Sequence, residues 1–148
     1  MSYSLLTQQL PFTPGKMSQL LGNKKMDKAR VLLVEDIPMI QKLHLQFLQE
    51  LNCDADLAAT GEEALMSYQK DKYDLIFLDL GLPDFNGIEI CKFIRKQNDL
   101  IPIIVLTSQG IEVKNPCMRA GVNHFVQKPT DLQTLRDLLV RWVSIAKE

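Results

Sequence analysis

The sequence predicts an α/β protein built on a doubly wound, five-stranded parallel sheet, and three observations carry that expectation. From Ala29 onward, strand-like and helix-like patterns alternate, as they do where helices cross over between parallel strands. The strand-like runs at residues 31–34, 75–78 and 103–106 are continuously apolar, which suits strands covered on both faces. Four such runs also end in polar groups: Glu35-Asp36, Asp79, Thr107-Ser108 and Lys128-Pro129. Sheets of this kind bind ligands beyond the carboxyl ends of their strands, so the four polar ends point to one crevice.

Each element has its own signal. After the first strand, Ile40, Leu43, His44, Phe47, Leu48 and Leu51 recur at the i, i+3, i+4 spacing of an amphipathic helix. Pro38 fits only the first turn of that helix, where its missing N–H is harmless. A short second strand lies near residues 53–58. Thr60 and Glu63 then match a capping box that opens a helix through about Lys70. The third strand covers residues 74–78, and Gly87 begins a helix carrying Ile88, Cys91, Ile94 and Arg95. The fourth strand is expected at residues 101–106, with Pro102 at its start, where a ladder donor is least missed. In the next segment Gly110, Asn115 and Pro116 oppose a long helix, while Val113 and residues 118–120 allow a short one. The fifth strand is read at residues 122–126. Thr130 and Gln133 make a second capping-box match, and Leu132, Leu135, Leu138, Leu139 and Trp142 line one face of the last helix.

Composition narrows the function. At 148 residues and 46% hydrophobic content, the chain suffices for one domain with a buried core. A formal net charge of −1 argues against a nucleic-acid footprint. No apolar run approaches the roughly 20 residues of a spanning helix, and no secretory signal opens the chain. Cys53, Cys91 and Cys117 are odd in number and lack CxxC spacing, so free thiols in the cytoplasm are expected. Residues 1–28 differ from the rest: glutamines, prolines and glycines interrupt them without a sustained period, which reads as a linker or leader. Within it, residues 4–12 resemble a single strand from a preceding domain.

The polar strand ends define a chemistry. Glu35, Asp36 and Asp79 converging on one point repel each other unless a cation intervenes. Mg²⁺ suits them, since it takes oxygen ligands from one or two carboxylates and keeps several waters. Lys128 supplies a compact positive charge for Asp79 and for a phosphoryl oxygen. The Thr107 hydroxyl is a hydrogen-bond donor for a second such oxygen. Asp79 is then a nucleophile able to form an aspartyl phosphate. Taken singly, Asp36 reads equally well as a helix cap, Asp79 and Thr107 as turn residues, and Lys128 as a solvated lysine; their coincidence at four strand ends outweighs those readings. His44 and His124 have no second histidine placed to share a metal.

In this order and spacing, the pieces resemble the receiver (response-regulator) domain of bacterial two-component signalling. They are residues 31–36, the Asp79-Leu80-Gly81-Leu82-Pro83 stretch with Gly87, Leu106-Thr107-Ser108, Ala120-Gly121, and residues 125–129. The resemblance covers about residues 29–147, within a domain set at 29–148. It implies the strand order 2-1-3-4-5. It implies that Asp79 accepts a phosphoryl group from a histidine kinase or histidine phosphotransfer domain. It also implies a metal set of Asp36, Asp79 and the Gly81 carbonyl, with Glu35 contributing through water. Thr107 and Phe125 would act as the switch, the Lys128–Pro129 bond would be cis, and the readout would be the surface of helix four, strand five and helix five. Gly81 and Gln109 would flank the attacking water. The chain departs from the family pattern in Glu35 before Asp36, in Thr130 after Lys-Pro, and in a stretch from Thr107 to Gly121 that looks one residue short.

Two other readings remain. A receiver-like docking module would work without phosphorylation, and the intact acidic, threonine and lysine set argues against it. A nucleotide-binding enzyme would need a glycine-rich loop after the first strand, where Glu35-Asp36-Ile37-Pro38 stands instead. With no output domain after the last helix, the expected context is a single-domain regulator or, slightly preferred, the receiver of a hybrid sensor kinase. Leu10-Pro11-Phe12 is the weak pointer to the latter. A homodimer across helix four is left open.

Overall fold

A computed structural model describes residues 28–147; the strand suggested at residues 4–12 lies outside them. Five strands run parallel in the order β2-β1-β3-β4-β5: β1 (Arg30–Val34), β2 (Asp54–Ala58), β3 (Leu75–Leu78), β4 (Ile103–Thr107) and β5 (His124–Gln127). Between them lie α1 (Pro38–Glu50), α2 (Gly61–Lys70), α3 (Gly87–Lys96) and α4 (Lys114–Ala120), and α5 (Leu132–Lys147) closes the chain.

Side-chain alternation along the strands builds a core on each face of the sheet. Val31, Leu33, Leu75, Phe77, Ile104 and Leu106 face the side that holds Leu48 of α1 and Leu135 and Leu139 of α5. Leu32, Val34, Ile76, Leu78, Ile103 and Val105 face the side that holds Ala64 of α2, Ile90 and Ile94 of α3, and Cys117 of α4. A one-residue slip of any central strand would exchange these faces, so the register that aligns the strand ends is fixed by packing.

Helix ends explain the element boundaries. Pro38 occupies the first turn of α1. That helix buries His44 and Leu48 but leaves Leu43 44% exposed, so its apolar stripe is narrower than the spacing predicts. At α2 the Thr60 hydroxyl accepts the Glu63 N–H at 3.0 Å, and the Glu63 carboxylate reaches back to the Ala59 N–H at 2.8 Å, one residue beyond a standard capping box. Gly87 opens α3 because a Cβ there would sit 2.5 Å from the Asp79 carbonyl oxygen. The segment after β4 forms a 3-10 turn, Ile111–Val113, and then the seven-residue α4, with Pro116 in its first turn. Gly121 (φ 107°) ends α4 in a Schellman motif: its N–H bonds to the Met118 carbonyl and that of Val122 to the Cys117 carbonyl. That commitment of Val122 starts β5 two residues later than the sequence suggests.

The second capping box is a correction. The residue capping α5 is Asp131, whose carboxylate accepts the Thr134 N–H at 2.9 Å. Thr130 Oγ1 is buried without a partner, and Gln133 instead donates to Asp137 along the helix surface.

Candidate functional site

The parallel ladder continues one residue past β1, β3 and β5, and this is what gathers the site. The Glu35 N–H bonds to the Ala58 carbonyl and the Asp79 N–H to the Val34 carbonyl, both at 3.0 Å, while the Lys128 N–H bonds to the Thr107 carbonyl at 2.7 Å. Glu35, Asp79, Thr107 and Lys128 therefore stand side by side at the carboxyl edge, where the strand ends predict them. Asp36 follows Glu35 into the same crevice: the ligand oxygens of Glu35, Asp36 and Asp79 all lie within 4.8 Å of one another.

The charges do not balance. Lys128, 8% exposed, forms a close ion pair with Glu35 Oε1 and stands 3.7 Å from Asp79 Oδ2. One ammonium thus faces three carboxylates, and Glu35 is its nearer partner. The other Glu35 oxygen accepts the Ile37 N–H at 3.1 Å. Asp36 Oδ1 is buried with no hydrogen-bond partner at all. Burial raises the Asp79 pKa and Glu35 adds to that, outweighing Lys128 and the N–H groups of Gly81 and Leu80. An all-oxygen set with surplus negative charge and an orphaned carboxylate oxygen fits Mg²⁺.

The remaining residues are placed around this cluster. Thr107 is fully buried, and its hydroxyl oxygen accepts the Gln109 N–H at 3.2 Å, leaving its own proton to donate. Phe125 is half-buried on β5 and packs against the core beneath α2, α3 and α4. Gly81 is exposed; its N–H reaches Asp79 Oδ1 at 3.4 Å, and a Cβ there would meet nothing within 4 Å. The Lys128–Pro129 bond is cis.

Sequence reasoning gave no role to His44, yet the fold sets it behind the cluster. Its pKa falls to about 4, chiefly through burial and then through the charge of Lys128, with Asp79 partly opposing. A histidine on the buried face of an amphipathic helix carries no local signal of such neighbours.

Fold and crevice together define a doubly wound α/β domain with a cation-ready acidic site at its carboxyl edge. The chain matches the family described as response regulator receiver domain over residues 31–140, and it belongs to that family, the receiver domains of two-component signalling. It is 32% identical over 115 residues to the aerobic respiration control sensor protein ArcB of Escherichia coli K12, covering 76% of this chain and 15% of that protein. The chain therefore spans a small part of that relative's length. Among solved structures, a CheY-like receiver domain protein from Methanospirillum hungatei superposes with a TM-score of 0.77 at 23% identity, covering 82% of this chain and 98% of that one. The receiver domain of a sensor histidine kinase from Pseudomonas aeruginosa PAO1 gives a TM-score of 0.74 at 32% identity, covering 79% of this chain and 98% of that one. That structure has a magnesium ion coordinated in its active-site cleft.

Proposed function

We propose that this domain takes a phosphoryl group from a phosphohistidine onto Asp79 and passes the change to the surface formed by α4, β5 and α5. The partner is a histidine kinase or a histidine phosphotransfer domain. The observation that carries the reading is the cluster of Glu35, Asp36 and Asp79 within 4.8 Å, with Asp36 Oδ1 unpartnered and Lys128 as the counter-charge.

Asp36, Asp79 and the Gly81 carbonyl would hold Mg²⁺, with Glu35 contributing through water. When bound, the ion neutralises and orients the incoming phosphoryl oxygens. A carboxylate oxygen of Asp79 attacks phosphorus as the P–N bond to the donor imidazole breaks, and that imidazole leaves as the neutral ring after taking a proton. Lys128 moves its ammonium from the carboxylates to a phosphoryl oxygen, which the 3.7 Å spacing to Asp79 allows. The Thr107 hydroxyl donates to another, and Phe125 follows it inward, which shifts the population of the output surface.

Support for the partner comes from the rim. Ile37 just before α1, Met39 in its first turn and Leu43 in its second are 46%, 79% and 44% exposed. They offer apolar contact area beside the crevice. We set the domain at residues 29–148, with 1–28 as a leader, and place it in the cytoplasm, a reading favoured by three free cysteines. Among the described residues, no helix is long and apolar enough to cross a membrane.

Incubation with Mg²⁺ and a small phosphodonor should add one phosphoryl group by intact mass, and Asp79→Asn should abolish it. Absence of uptake by the wild-type chain, with partner binding indifferent to phosphodonor, would instead favour a docking module.

A further inference from the structure

The loop between β3 and α3 carries Gly81, and its ends are well tied. The Asp79 N–H bonds to the Val34 carbonyl, while the N–H groups of Leu82 and Gly87 both bond to the Leu80 carbonyl at 3.1 Å. Gly81 itself has no neighbour within 4 Å of a would-be Cβ, so its position depends on the path of the loop. Leu82 and Phe85 pack the loop against the core, and Asp84 ties it to a second element. Asp84 Oδ1 accepts the N–H of Gly61 at 2.8 Å and its Oδ2 accepts that of Glu62 at 2.9 Å, across more than twenty residues of chain. Asp84 Oδ1 also accepts the Phe85 N–H at 3.0 Å.

The contact is a divided cap. An α-helix opens with four N–H groups that lack intrahelical partners. In α2, the Thr60 hydroxyl serves one of them, the Glu63 N–H, while the Thr60 carbonyl accepts the first intrahelical bond from Ala64. Two more, Gly61 and Glu62, are left to Asp84, and a carboxylate there is also favoured by the helix dipole. Gly61 makes room for the contact: a Cβ would fall 2.6 Å from the Phe85 ring and 3.0 Å from Asp84 Oδ1. Asp84 is itself solvent-exposed, so these hydrogen bonds, not burial, hold its side chain.

We propose that Asp84 is a positioning residue for the metal: its carboxylate clasps the Gly81 loop to the amino terminus of α2 and so presets the loop that supplies the Gly81 carbonyl. This rests on the metal set proposed above. Groups that orient metal ligands typically matter on the order of 10- to 100-fold in affinity, and an exposed clasp belongs at the lower end.

The test uses the full chain and Mg²⁺ alone, with binding followed by titration calorimetry and folding by thermal unfolding. Asp84→Ala should weaken Mg²⁺ binding on the order of 10-fold, and Asp84→Asn, which keeps one acceptor oxygen, should weaken it less. Thr60→Ala is the control, since it removes the local half of the same cap without touching the loop. It should lower the unfolding temperature as Asp84→Ala does and leave the Mg²⁺ dissociation constant unchanged. Wild-type affinity in Asp84→Ala, or equal weakening in Thr60→Ala, would overturn the clasp alone. Failure of the wild-type chain to bind Mg²⁺ would overturn the metal set with it.

Discussion

His44 keeps its imidazole on the buried face of α1, 2% exposed, with Nδ1 lacking a partner and the charge of Lys128 nearby. Its folded pKa, about 4, lies below the ordinary value of 6.5, so the unfolded chain binds more protons between these values. Stability should therefore fall as pH drops across that window, by about 3 kcal/mol at 1.36 kcal/mol per unit. Asp79 acts in the opposite sense, because a raised carboxyl pKa lets the folded state take up a proton first. His44→Leu leaves Asp79 in place and removes only the imidazole, so the variant should lose about 3 kcal/mol less than wild type between pH 7 and pH 4. Urea unfolding at both pH values reads the difference; equal losses would clear His44 of the effect. The contrast with Asp79 shows what a sequence reveals at this scale. Asp79, Thr107 and Lys128 were legible because each ends an apolar run, whereas the surroundings of His44 depend on which strand end α1 happens to cover.

At the scale of elements, the same four-residue pattern gave one correct cap and one incorrect cap. Thr60 with Glu63 was legible, since no competing acceptor stands beside it. Thr130 with Gln133 was misleading because Asp131 and Thr134 present an equivalent pair one residue later. The Leu135 N–H bonds to the Asp131 carbonyl, which confirms the later start of α5. Asp131→Ala should then cost about 1 kcal/mol of stability, the usual loss for a cap. Thr130→Val should be neutral or stabilising, because it removes a buried hydroxyl oxygen that has no partner. Denaturant midpoints of the two variants decide between the registers: a larger loss for Thr130→Val would restore the earlier one. The shortness of α4 was visible in Gly110 and Pro116, but its Schellman closure was not, since it required knowing that Val122 bonds back to Cys117.

For the molecule as a whole, the site and the fold are one equilibrium. Asp79 is distant in sequence from the adjacent Glu35 and Asp36 and meets them only when β1 and β3 pair with Val34 opposite Leu78. The apolar runs made the strands and their polar ends legible, while the strand order, and with it the β1–β3 pairing, came from the resemblance and not from any pattern in the residues. Since the unfolded chain lacks the cluster, Mg²⁺ bound to it adds its binding free energy to folding. At a hundredfold excess over the dissociation constant the gain should be about 2.7 kcal/mol. Removing one carboxylate should separate the two roles of the cluster. Asp36→Asn relieves repulsion around an oxygen that has no partner, so without metal the variant should be more stable than wild type by about 1 kcal/mol. It should also show little or no stabilisation by Mg²⁺, because the donor set is broken. Urea unfolding with Mg²⁺ and with chelator reads both effects in one experiment. A wild-type chain indifferent to Mg²⁺, or an Asp36→Asn chain that responds as strongly, would show that the carboxylates at the sheet edge do not hold the ion.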